Sequence, residues 1–290
     1  MTTNNKHDKE VYILGSEPGN GTKKEPKRNL TALLCILTII LLAVALVLFL
    51  NRKEETPEYY FEPEQTTQTE QQSISINTTE DAQDMKKVPY TEISEETAGN
   101  VPLAIYTIHN ATMSLMVGMP DKSDPAIVFA AMAADIRKDN MQIVGDFVLS
   151  GKRLARGVAK KGYAAIIDHK ITIGIGETTP LLQQAIDNNG FFFRQYPLVF
   201  NGELIRNNPK NRSIRRALAV RDERVIIVES KEKESFYNFS QALIDIGVSD
   251  AIYLVGGDAF GWYHDKKHVR QEFGKELTDI PENISYIIWK

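Results

Sequence analysis

The sequence predicts an α+β protein: a mixed, strand-rich single domain with a few packed helices, preceded by one transmembrane helix. Three observations carry this. Leu30 to Leu50 is an apolar run without a single charge. Beyond residue 100 the apolar residues fall into many short segments of strand length, and helical periodicity is confined to two stretches. Strands therefore outnumber helices and alternate with them irregularly, which fits α+β better than a regular α/β fold.

The apolar run divides the chain. About 21 residues at ~1.5 Å rise span about 30 Å, the thickness of a bilayer core. Lys23, Lys24, Lys27 and Arg28 precede it, whereas Arg52 and Lys53 are followed at once by Glu54 and Glu55. The positive excess puts the N-terminus in the cytoplasm. A cleaved signal peptide would have an apolar region of about 7–15 residues ending in a small-x-small site. This run is longer and ends Leu48-Phe49-Leu50, and Cys35 follows Leu33-Leu34 rather than the small residues of a lipoprotein signal. The predicted plan is a cytoplasmic tail over 1–28, a transmembrane helix over 29–51, a disordered acidic linker over 52–100 and an extracytoplasmic domain over 101–290.

The linker is polar and acidic, with too few apolar residues to offset the entropy of ordering it. Most of the net charge of −4 comes from there. Beyond Val101 the charges nearly balance, so no nucleic-acid partner is expected. Cys35 is the only cysteine, which leaves the outer domain without a disulfide, thiol nucleophile or thiolate ligand. That usage favours a bacterial envelope protein over a eukaryotic secreted one. The expected location is the bacterial cytoplasmic membrane, spanned once through Leu30–Leu50.

Strands are expected at Leu103–Ile108, Met113–Val117, Ala126–Ala131, Gln142–Leu149, Tyr163–Ile167 and Ile171–Ile175. More follow at Phe191–Phe200, Ala217–Val220, Val225–Val228, Ala251–Val255 and Ser285–Trp289. A helix over Thr179–Asn188 has Pro180 in its first turn and Leu182 and Ile186 on one side. A second, over Ser235–Ile246, lines up Phe236, Phe239, Leu243 and Ile246, with Ser235 as N-cap and Gly247 as the stop.

Few residues carry chemistry. Gly256 and Gly257, after an apolar strand, would let a backbone turn sharply and approach a ligand, with Asp258 beside them. The spacing is not that of a dinucleotide fingerprint, and a tight turn with a solvated Asp258 reads equally well. His264 and His268 stand four apart but make an incomplete metal site, so a surface pair is the better reading and no metal or cofactor is expected. His109 and His169 lie at strand ends without an acid at a telling spacing. Arg215 and Arg216 head a strand and could present a donor fork to phosphate, or lie on a solvated loop face with Asp222 and Glu223. Asp135, Asp146 and Asp168 are the other carboxylates near strand ends. Glycosidic hydrolysis wants two such groups, one acid and one base or nucleophile.

In order, five segments resemble the phosphodiester glycosidase domain family of bacterial envelope proteins and of the Golgi uncovering enzyme, over roughly Ile127 to Tyr263. They are VFAAMAADIRKDNMQIVGDFVLSGKRL, KKGYAAIIDHKITIGIG, LLQQAIDNNGFFFRQYPLVFNGEL, IRRALAVRDERVIIVES and FYNFSQALIDIGVSDAIYLVGGDAFGWY. The resemblance implies a pocket that splits a sugar-1-phosphodiester. It also carries departures. Met132-Ala133-Ala134 stands where the family has Asn-Gly-Gly, Val255 where it has the Asp of Asp-Gly-Gly, and Ala259 and Phe260 where it has Ser. Arg215 is kept. If the site works, the chemistry has moved to neighbours, with Asp258 and Asp135 as acid–base carboxylates, Arg215 on the phosphate, and Gly256 and Gly257 beside the substrate. The expected partner is a glycosyl phosphate or an envelope glycan. The alternative is an inactive glycan-binding or scaffold module, in which Met132, Val255 and Phe260 plug that pocket.

Overall fold

The computed structural model describes residues 38–44, 60–61, 72–77, 88–276 and 278–290. The chain divides into two compact units, Met1–Glu55 and Thr56–Lys290. In the first, residues 38–44 are helical. The rest of the Leu30–Leu50 run lies outside the described residues, and among the described residues no helix is long and apolar enough to cross a membrane.

Among its described residues the second unit has three antiparallel sheets. The six-stranded sheet runs in the order Gln72–Asn77, Lys170–Ile175, Gly162–Ile167, Phe191–Gln195, Phe147–Leu149, Lys152–Ala155. The seven-stranded sheet runs Glu203–Leu204, Pro197–Phe200, Val248–Leu254, Arg216–Arg221, Arg224–Ser230, Val101–His109, Tyr90–Ala98. The five-stranded sheet runs Arg270–Phe273, Gly261–His264, Phe129–Met132, Ser285–Trp289, Met113–Val117. A short parallel pair joins Tyr60–Phe61 to Ile136–Arg137.

Local turn chemistry explains the meander. Four hairpins close through two residues that both have positive φ: Ser150-Gly151, Asp168-His169, Asn201-Gly202 and Asp222-Glu223. That backbone matches the right-handed twist of the strands. Asp168 and His169 are thus turn residues.

Both predicted helices form, as Pro180–Asp187 and Phe236–Asp245. The Thr179 hydroxyl accepts from the Leu181 amide and the Ser235 hydroxyl from the Asn238 amide. Gly247 follows the second helix at φ +85°. Phe236, Phe239 and Leu243 pack with Leu198, Ala217, Ala219 and Tyr253 on one face of the seven-stranded sheet. From the same strand, Leu218 and Val220 point to the other face and join the central core. The six-stranded sheet repeats the arrangement. Ala165 and Phe192 face the helix Pro180–Asp187, while Ala164, Ile166 and Phe193 enter the central core. Each of the two large sheets therefore carries a helix outside and shares one core inside, with the five-stranded sheet contributing to it.

Two sequence expectations need correction. The linker drawn over 52–100 contains the strand Tyr90–Ala98, which pairs with Val101–His109 along its whole length. It is an edge strand with Glu92, Glu95 and Glu96 in its sequence and Thr91 buried, so its composition imitates a solvated tether. The single strand expected over Phe191–Phe200 is two, because the chain leaves one sheet after Gln195 and enters the other at Pro197. His264 ends a strand and His268 follows it in a turn at φ +58°.

Aromatic rings tie the sheets together. Phe129 is fully buried and meets Tyr106 at 5.4 Å, Trp289 at 5.5 Å and Phe273 at 6.0 Å between ring centroids. Tyr106 comes from the seven-stranded sheet and the others from the five-stranded one. Phe129→Ala should therefore cost about 3–5 kcal/mol, read as a lowered denaturant midpoint with an unchanged slope.

Candidate functional site

The segments around Met132 and Val255 meet in the central core. Met132 and Ala133 are fully buried, Ala134 nearly so, and Val255, Ala259 and Phe260 belong to the same apolar cluster. Met132 pairs with Tyr286 across the five-stranded sheet, and the Ala133 and Ala134 amides donate to the Ser285 carbonyl and hydroxyl. The Trp262 ring lies tilted against Phe260, at 5.9 Å, and Tyr286, at 6.2 Å between centroids. The Trp262 Nε1 and the Tyr286 hydroxyl are buried without a hydrogen-bond partner, and burial pushes the Tyr286 hydroxyl's pKa up.

The paired glycines serve the backbone. A Cβ at Gly256 would lie 2.2 Å from the Ile214 carbonyl oxygen, so only glycine fits this crossing. The Gly256 amide donates to the Tyr253 hydroxyl and the Gly257 amide to the Ile214 carbonyl. Gly257 also takes φ +60° to turn the chain outward. Asp258 emerges from that turn 69 % exposed, with Lys275 Nζ 2.9 Å from its carboxylate.

Asp135 is buried. Its carboxylate contacts Lys160 Nζ directly, and Lys160 also donates to Gln195 Oε1 at 2.8 Å. Arg215 is buried too, but its guanidinium donates to the Glu234 and Asn211 carbonyls and lies 4.1 Å over the Phe236 ring. Asp258, Asp135 and Arg215 are thus each held by their own partners. The guanidinium that reaches the 255 strand end is that of Arg216. It donates to the Val255 carbonyl at 2.8 Å, pairs with Glu229 and covers the Phe273 ring at 4.3 Å. Arg216 and Glu229 are direct cross-strand neighbours, a pairing that only the hairpin register reveals.

Asp146 anchors a separate network. Arg194, 1 % exposed, donates to Asp146 at 2.9 Å and to the Gly176 and Glu177 carbonyls, while Arg153 and the Gly157 amide complete the carboxylate. Burial opposes this charge, yet the bonds from Arg194, Arg153 and Gly157 outweigh it and hold the carboxyl below its usual range. Among the described residues no three His, Cys, Asp or Glu side chains are grouped to hold a metal ion.

No family model and no curated protein sequence matches the chain. By structure it is similar to the zebrafish N-acetylglucosamine-1-phosphodiester alpha-N-acetylglucosaminidase catalytic domain auto-inhibited by its pro-peptide. The TM-score is 0.52 at 14 % identity, over 75 % of this chain and 87 % of that one. It also aligns with a hypothetical protein from Synechocystis, at TM-score 0.45 and 12 % identity over 69 % and 62 % of the two chains. The first likeness shows a distant relation in fold and nothing finer.

The Asp146 network should be visible in acid. The folded carboxyl titrates below its unfolded value of about 3.9. Its contribution is therefore complete above that pH and disappears as pH falls through the folded value. Asp146→Ala should cost about 3–5 kcal/mol near neutral pH by leaving Arg194 buried and short of a partner. Denaturation curves across the acid range should show a smaller loss of stability in the variant than in the parent.

Proposed function

We propose that this protein is a membrane-anchored extracytoplasmic module with the phosphodiester-glycosidase fold that binds an anionic envelope glycan or glycosyl phosphate without hydrolysing it. The observation that carries the reading is the burial of Met132 and Val255, both fully enclosed in one apolar core where the family has Asn and Asp. Neither a methionine thioether nor a valine can replace an amide that grips sugar or a carboxylate that moves a proton. Asp258, the nearest carboxylate in sequence, faces solvent beside Lys275 rather than that core. Asp135 is engaged by Lys160 and Arg215 by backbone carbonyls, which leaves neither poised for acid–base work or for a phosphate. The anchor rests on the Leu30–Leu50 run and its flanking charges.

An anionic partner is supported by the outer edge of the six-stranded sheet. Lys152 and Arg156 are exposed on the edge strand Lys152–Ala155 and in the loop that follows it. Two cations at an open edge attract an anionic group on a partner.

Two measurements test the proposal. Incubation with sugar-1-phosphodiesters should release no sugar above the buffer rate, and turnover abolished by Asp258→Ala or Arg215→Ala would overturn it. Retention on a phosphate-bearing glycan should move to lower salt in the Lys152→Glu, Arg156→Glu double variant. Equal retention of parent and variant would remove the edge from the account.

A further inference from the structure

We propose that Lys160 and Asp135 become joined by an intramolecular amide, a covalent cross-link between their side chains. The two are 2 % and 4 % exposed, and the Lys160 ammonium nitrogen touches the Asp135 carboxylate directly. The other carboxylate oxygen, Oδ1, is buried with no hydrogen-bond partner. An ion pair that leaves a carboxylate oxygen unsatisfied in an apolar interior is a costly arrangement, because desolvation is only partly returned. Such a pair can relax by passing a proton from ammonium to carboxylate, which leaves a neutral amine against a neutral acid. A desolvated lysine amine in an apolar pocket is a competent nucleophile.

The surroundings hold the two groups in place. Gln195 Oε1 accepts from Lys160 Nζ at 2.8 Å and from the Tyr196 amide at 3.0 Å, while its Nε2 donates to the Ala133 carbonyl at 3.4 Å. The Tyr196 ring covers the amine at 4.3 Å. On the acid's side, the Val144 amide donates to the Asp135 carbonyl and the Ala134 amide to Ser285 Oγ. Lys160 immediately precedes the buried segment Lys161-Gly162, where a Cβ at Gly162 would meet the Gln195 carbonyl oxygen at 2.5 Å. Both backbones are thus fixed, and fixing two reactants in contact raises their effective concentration by orders of magnitude.

The reaction balances within the pair. The amine nitrogen attacks Asp135 Cγ, a C–N bond forms, and one carboxyl oxygen leaves. The ammonium supplies two protons to that oxygen, so ammonium plus carboxylate become amide plus one water, with no oxidant or cofactor. The product is neutral, which removes both charges from the interior. It also bridges two segments of a domain that has no cysteine, since Cys35 lies in the apolar run.

Mass spectrometry of the full-length protein under denaturing conditions tests this. The parent chain should be lighter than its sequence by one water, and Lys160→Arg should show no such deficit. After trypsin, the peptide Ser123–Arg137 should be recovered joined through Asp135 to the peptide Gly157–Lys161 through Lys160. Recovery of Ser123–Arg137 as a linear peptide of full mass, with cleavage after Lys160, would overturn the proposal.

Discussion

Leu218 and Val220 enter one apolar layer while Ala217 and Ala219, from the same strand, enter another, so the seven-stranded sheet must exclude water on both faces. The six-stranded sheet is under the same constraint, with Ala164 and Ile166 inside and Ala165 outside. Two helices suffice for the outer faces. The inner faces need a third apolar contributor, which is the five-stranded sheet with Phe129, Trp262, Tyr286 and Ile287. Met132 and Val255 are part of that filling. Polar groups at these positions would demand a solvated cleft or a bound ligand to offset their burial.

Charges that enter such an interior have to be tied. Arg194 is clamped by Asp146 and two carbonyls, Arg216 by Glu229 and the Val255 carbonyl, and Arg215 by carbonyls over an aromatic ring. Each of these guanidiniums holds loops to strands, and each is thereby committed to structure. Asp258 escapes only because Gly257 turns the chain outward, which also carries it away from the core. The dry core and the commitment of these charges to structure are two consequences of one packing arrangement.

Much of the fold could be read from the chain. Thr179, Ser235 and Gly247 announce their helix ends through capping chemistry that depends on near neighbours alone. Strands with apolar runs, such as Ala217–Val220 and Ser285–Trp289, were equally plain. The strands Tyr90–Ala98, Lys152–Ala155 and Arg270–Phe273 were not, since edge strands carry charge on their exposed positions and lose the apolar signature. Phe191–Phe200 hid a change of sheet at Tyr196 because both halves are apolar. At the candidate site, the apolar character of Met132 and Val255 was legible. The partners were not: Lys160 meets Asp135, and Glu229 meets Arg216, only after register and topology bring distant segments together. Of the adjacent Arg215 and Arg216 only the second belongs to the strand Arg216–Arg221, and residue type alone does not say which reaches Val255.

The central claim, that Met132 and Val255 are enclosed in a dry apolar core, can be tested with the protein's own chromophores. The chain has two tryptophans, and both lie in that core: Trp262 is 0 % and Trp289 is 4 % exposed. Acrylamide quenching of their fluorescence reports directly whether water and small solutes reach it. The account predicts blue-shifted emission that resists quenching until the protein unfolds. Red-shifted emission in the folded protein, quenched nearly as readily as in the denatured chain, would mean a solvent-filled cleft and would contradict it.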